Sequence, residues 1–215
     1  MSGFQAFNSA GALTVDGTNK PAMISQYKQI TSVTDYGYYQ IESPFTTNGG
    51  YDLGFLPENF YPNVSTRWVR MNSGKYCFPG ADQFQPNSGQ MMISTQSLAV
   101  SSGYLDVYNA SGSLIWSAVS AASVPRILDF IDIPPGYDLQ NNTYVKSLSY
   151  NPWFLQNACP GNISDDGTVT GYSGICIRWT GSQIQVRYVS KLQNTYNTAL
   201  GSVGLRIPLA YITGY

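Results

Sequence analysis

The residue types that most often carry out chemistry are thinly represented in this chain of 215 residues. Histidine is absent, so neither a Ser-His-Asp nor a Cys-His arrangement can form, and a His-based metal site is ruled out. The three cysteines, Cys77, Cys159 and Cys176, make no Cys-x-x-Cys pair. A zinc site would need its fourth ligand from Asp or Glu, an uncommon set. Cys77 lies in Tyr76-Cys77-Phe78-Pro79, an apolar setting that raises a thiol's pKa and leaves it unreactive. A Cys159–Cys176 disulfide is one reading of the other two. The odd count and an expected reducing origin favour buried free thiols.

Two carboxylate pairs invite a glycosidase reading. Asp129 and Asp132 are an odd number of residues apart, so a strand turns them to opposite faces. Asp165 and Asp166 open an Asp-Asp-Gly sequence, where Asp serves turn chemistry. A calcium ion there would rest on one short acidic cluster. No Gly-x-Gly-x-x-Gly or Walker sequence follows a strand. The chain therefore reads as a non-enzyme that needs no cofactor and no metal. Its 17 Tyr and 4 Trp could stack on sugar rings, but strands and protein interfaces draw on the same residues, and that use is favoured.

Composition narrows the partners. Charged residues make up 11%, against about a quarter in ordinary globular chains. Net charge is −1 and there is no Lys/Arg run, so the basic surface that neutralises phosphates is missing and nucleic acid is not an expected partner. No apolar stretch is long enough to cross a bilayer as a helix, and no membrane insertion is expected. Met1-Ser2-Gly3-Phe4 lacks a basic region followed by an apolar one, so a signal peptide is not expected either. A neutral surface rich in hydroxyls, amides and Tyr suits large protein–protein contacts.

Short alternating runs separated by Gly, Pro, Asn and Ser must position these residues, since sustained helical periodicity is absent. The runs predict strands at Phe4–Phe7, Ala12–Val15, Met23–Gln29, Tyr36–Glu42, Thr66–Met71, Gly89–Ser94, Gly103–Tyr108, Ser113–Ser117, Arg126–Ile133, Gly174–Trp179, Gln183–Ser190 and Val203–Tyr211. The spacing fits an all-β, antiparallel sandwich or barrel. Two segments read as irregular: Pro44–Pro62, with Tyr51, Phe55 and Phe60, and Tyr150–Thr170, with Trp153 and Phe154. Bulky aromatics on loop backbone are candidate interface anchors, or else satellite core.

One unit occurs twice. Phe4-Gln5-Ala6-Phe7-Asn8-Ser9-Ala10-Gly11-Ala12-Leu13-Thr14-Val15 recurs as Leu105-Asp106-Val107-Tyr108-Asn109-Ala110-Ser111-Gly112-Ser113-Leu114-Ile115-Trp116. Asn8 and Asn109 open a type I turn and cap it with the side chain. Gly11 and Gly112 take the left-handed conformation that closes a bulged hairpin. The spacing sets Phe7 opposite Leu13 and Tyr108 opposite Leu114. Beyond the hairpins, Pro21-Ala22-Met23-Ile24 aligns with Pro125-Arg126-Ile127-Leu128. Two related sub-domains, 1–100 and 101–215, are implied, either separate or packed as one unit. A third hairpin is expected at Thr180–Ser182.

Gly3-Phe4-Gln5-Ala6-Phe7-Asn8-Ser9-Ala10-Gly11-Ala12-Leu13-Thr14-Val15-Asp16 resembles the opening of small proteins encoded in tailed-bacteriophage structural modules. These commonly carry a second similar hairpin, followed by an apolar strand like Val124-Pro125-Arg126-Ile127-Leu128-Asp129-Phe130-Ile131. The resemblance covers about the first 30 residues and Gly103–Pro134, and it brings no catalytic residues. It implies a virion protein of the tail or tail tip, made in the host bacterial cytoplasm, whose partners are other virion proteins and copies of itself. Two alternatives stay open: a capsid decoration or cement protein, and a receptor- or carbohydrate-binding module with a host glycan as ligand. The Asn-x-Ser/Thr triplets at Asn63, Asn109, Asn141 and Asn162 carry no meaning for a bacterially made protein.

Overall fold

Gln183–Lys191 reads Gln-Ile-Gln-Val-Arg-Tyr-Val-Ser-Lys, and its Ile184, Val186 and Tyr188 are buried while their neighbours are not. This period of two builds most of the structure. The computed structural model describes residues 5–7, 9, 11, 13–35, 41–46, 52–62 and 65–215. Its first strands are β1 (Gln5–Phe7), β2 (Leu13–Asp16), β3 (Met23–Ile30), β4 (Gly54–Phe55), β5 (Thr66–Met71) and β6 (Tyr76–Phe78). Then come β7 (Gln83–Phe84), β8 (Gly89–Thr95), β9 (Asp106–Tyr108), β10 (Leu114–Ser117), β11 (Arg126–Ile133) and β12 (Tyr144–Ser147). The last are β13 (Trp153–Leu155), β14 (Gly161–Asp165), β15 (Thr170–Trp179), β16 (Gln183–Lys191) and β17 (Leu205–Tyr211). Helix among the described residues is limited to α1 (Tyr196–Ala199) and short 3₁₀ turns.

The fold is an all-β antiparallel sandwich. One sheet has the order β11-β17-β13-β5-β8-β3, and the other β12-β16-β15-β6-β7-β4, with β14 also paired to β15. Each sheet mixes strands from residues 1–100 and 101–215, so the halves interleave in one unit. A boundary near residue 100 does not divide the molecule, because β5 and β8 are bonded into the same ladder as β13 and β17. Val69, Met91, Phe154, Ile131 and Leu209 of the first sheet share a core with Ile175, Ile177, Trp179 and Val186 of the second.

Both outer faces carry smaller clusters. On the six-stranded sheet Trp68, Met92, Trp153, Ala210 and Ile212 pack together. On the seven-stranded sheet Ile41 and Leu53 cover Tyr76, Phe78, Tyr172 and Cys176. Asp52 fastens that cover by accepting hydrogen bonds from the Tyr76 hydroxyl and the Gln85 amide. Burial, and then the Asp52 carboxylate, push the Tyr76 hydroxyl pKa up.

Three chain segments cross where β14 meets β15. A Cβ on Gly174 (φ 150) would lie 2.4 Å from Gly161 Cα, and one on Gly161 would lie 2.9 Å from Gly80 Cα. Only residues without side chains allow this approach.

Tyr150–Thr170 is not an irregular loop. It supplies β13, an internal strand between β17 and β5, and β14. Trp153-Phe154-Leu155 is apolar on both faces, since one face meets the core and the other the outer cluster, so no alternation marks it. Of the strand expected at Tyr36–Glu42, residues 36–40 lie outside the described residues, and Ile41 and Glu42 are not in a strand.

Candidate protein interface

The repeated unit folds as two hairpins, and each is a two-stranded sheet of its own. The β1–β2 and β9–β10 pairs are bonded to neither large sheet. Phe7 pairs with Leu13 and Tyr108 with Leu114, the partners that the spacing predicts, and each ladder has a register irregularity beside that pair. Gly11 sits at φ 73 and Gly112 at φ 78. In the second turn Asn109 Oδ1 accepts from the backbone N–H of Ser111 at 3.1 Å and of Ser113 at 2.9 Å. The Gly112 N–H donates to Asn109 O at 3.0 Å. Asn8 lies outside the described residues.

The chain enters β3 from the first hairpin at Met23 and leaves β8 toward the second at Thr95, and these two residues are paired. Both connectors therefore meet at one end of the β3–β8 pair, where the Gln96 side-chain amide donates to Lys20 O at 3.0 Å. The second hairpin is clasped at its base. Ala118 N–H donates to Leu105 O at 2.9 Å, and Ser101 N–H to Ser120 Oγ at 3.0 Å. Asp106 accepts from the Ser102 hydroxyl and the Gly103 N–H. These bonds, the Ser102 hydroxyl foremost, hold the Asp106 carboxyl below its usual range. Asp16, closing the first hairpin, is lowered in the same way by Thr18 and Asn19.

These hairpins and their connectors hold a concentration of exposed apolar side chains. Phe7 is 59% exposed, Tyr104 fully exposed, Leu105 61% and Tyr108 53%, with Leu13, Leu98 and Val119 also open. Ile115 and Ser117 of β10 are buried, so one side of the second hairpin is packed and the other faces out. Outside Asp16 and Asp106, neither hairpin strand pair holds a charge. Exposed apolar groups gathered on elements that carry only one charge each have the chemistry of a contact surface.

The aromatics singled out as loop anchors behave differently. Trp153 and Phe154 are each 1% exposed. They are core, because the strand they form lies between two others with a packed cluster on each face. Arg70 stacks over the Trp153 ring at 4.6 Å. Phe55 is half-buried in β4, and half-buried Phe60 packs edge-on against Tyr61 at 6.2 Å with Lys28 over its ring. Tyr51 lies outside the described residues. The pertinent signal was in the repeat: a hairpin of one three-residue and one four-residue strand has too little partner surface to bury aromatics on both faces.

The candidates for chemistry do not converge. Asp129 pairs with Lys146 at 3.0 Å, and Asp132 with Arg206 at 3.3 Å. Asp165 and Asp166 accept backbone N–H groups of Gly167, Thr168 and Val169 within their turn. The three cysteines are free and buried, and burial raises the thiol pKa of each. Among the described residues no three Cys, Asp or Glu side chains gather as metal ligands. No helix among them is long and apolar enough to cross a membrane.

No curated protein and no solved structure matches the chain. Residues 1–214 match one protein family over nearly their whole length. The chain belongs to the DUF8377 family, a domain of unknown function.

Proposed function

We propose that this chain is a non-catalytic structural component of a bacteriophage particle, a tail or tail-tip protein. In this reading it is made in the host cytoplasm and binds other virion proteins and copies of itself through its two hairpins. One observation carries the reading. A single aromatic-Asn-x-x-Gly-x-Leu unit recurs as two two-stranded sheets outside the large ladders, and each leaves apolar side chains exposed on one side. An isolated two-stranded hairpin is marginally stable in water, so a neighbouring surface that covers it contributes stability as well as contact. The low charge and the resemblance of the hairpin sequences to tailed-phage modules support the same role.

Quantitative mass spectrometry of purified particles tests it. The expected result is this chain at a fixed stoichiometry, in a few to a few tens of copies. Hundreds of copies would move it to the head as a decoration protein. Its absence from particles, with the pure protein monomeric, would contradict the proposal.

A further inference from the structure

A second feature lies away from the hairpins, on the outer face of the seven-stranded sheet. β15 and β16 form the floor of an open groove of about 300 Å³, walled by Glu42-Ser43-Pro44 on one side and Gln140-Asn141 on the other. The geometry points to a binding site for one neutral saccharide unit. Ligand sites run from about 300 to 1,000 Å³, so this groove is at the small end and suits a single ring.

The walls are held before any ligand arrives. Glu42 N–H donates to the Tyr172 hydroxyl oxygen at 3.0 Å. Asp138 accepts from the Asn141 N–H at 3.1 Å and from its side-chain amide at 2.9 Å. Arg187 donates to Gln140 O at 2.9 Å, and the Gln140 amide reaches Ser190 Oγ at 3.3 Å. Fixing these groups in advance removes part of the ordering cost of binding.

What the groove offers sets the ligand class. The Glu42 carboxylate and Asn141 Oδ1 can accept hydrogen bonds. The Ser190 hydroxyl and the Asn141 amide can donate. Donors and acceptors side by side match vicinal hydroxyls, which do both. Glu42 opposes an anionic ligand and Arg187 a cationic one, whereas a neutral ligand meets neither penalty. Pro44 and Val189 add a small apolar edge to a lining that is mainly polar, as hydroxyl-rich ligands require. Saccharide binding here does not need the hairpins, so it succeeds or fails separately from assembly.

The test is ligand-observed NMR on the full chain with glucose, galactose, N-acetylglucosamine and N-acetylgalactosamine at tens of millimolar. Phosphate and spermidine serve as charged controls. Saturation transfer to at least one sugar and to neither control is expected. Glu42→Ala should weaken binding by about tenfold, the factor that separates one decade of Kd. Asn141→Trp, which fills the groove from an exposed position, should abolish it. Both variants should stay within about 2–4 °C of the wild-type melting temperature, since Asn141→Trp gives up only one exposed hydrogen bond to Asp138, and Phe7→Ser with Tyr108→Ser should leave sugar binding unchanged. No transfer to any sugar, equal transfer to a charged control, or binding that survives Asn141→Trp would overturn the site.

Discussion

Replacing Phe154 by alanine separates a core residue from an interface residue. Phe154 is 1% exposed and belongs to the central core. Its backbone partners are Val69 on one side and Leu209 on the other, both fully buried. The cavity left by the ring has little freedom to collapse between two bonded strands. Phe→Ala at such a position costs about 3–5 kcal/mol, a large part of a total stability of about 5–15 kcal/mol. At about 2–4 °C per kcal/mol for a chain of this size, the thermal midpoint should fall by roughly 6–20 °C. Urea unfolding followed by tryptophan fluorescence measures this directly, since the substitution keeps all four tryptophans. Phe7→Ser, on the exposed hairpin, should stay within about 0.5 kcal/mol of wild type. A loss under about 1 kcal/mol for Phe154→Ala would refute the placement of β13 inside the sheet.

Gly161→Ala should destabilise by about 1–3 kcal/mol or more, because its Cβ would press on backbone atoms of Gly80 and Ala81. Unchanged unfolding would show that the three segments do not cross closely. Asn109→Ala removes the acceptor for the Ser111 and Ser113 N–H groups. Hydrogen exchange at those two amides should speed up while β15 and β16 stay protected; unaltered exchange would remove the side-chain cap from the turn. Asp16, Asp106, Asp138 and Asp166 are held below the reference value of 3.8, chiefly by Thr18, Ser102, Asn141 and the Val169 N–H. A carboxyl with a depressed folded pKa stabilises the fold above its unfolded pKa, and that contribution is lost as pH falls through the folded value. Calorimetry should give a level midpoint from about pH 5 to 8, where no histidine titrates, and a decline below about pH 4. A slope between pH 5 and 8 would contradict this.

The sequence was most legible where one face of a strand is buried and the other is wet. Arg126–Ile133 has the bounds that alternation predicts, and the Asn-x-x-Gly logic yields the cross-strand pairs of both hairpins. It was least legible where a strand is short and apolar on both faces. Tyr76-Cys77-Phe78 and Trp153-Phe154-Leu155 show no period of two, because the outer clusters bury the side that would otherwise be polar. The same double burial moved Trp153 and Phe154 from candidate anchors to core. The repeat correctly located the hairpins, but not how the halves combine, because pairing between distant strands such as β5 and β13 leaves no local mark. Glu42, Asn141 and Arg187 could not be grouped from spacing, since the fold alone brings the three elements that carry them together.

Site-specific photo-cross-linking in assembled particles tests the central claim most directly. A benzophenone amino acid would replace Phe7 in one preparation and Tyr108 in another, both open on the isolated chain. Illumination should join either position to another chain, a virion protein or a second copy, while the same residue at Leu192, exposed but distant in sequence from both hairpins, should not cross-link between chains. Particles that contain the protein yet give no intermolecular product from either hairpin would contradict assembly through these surfaces.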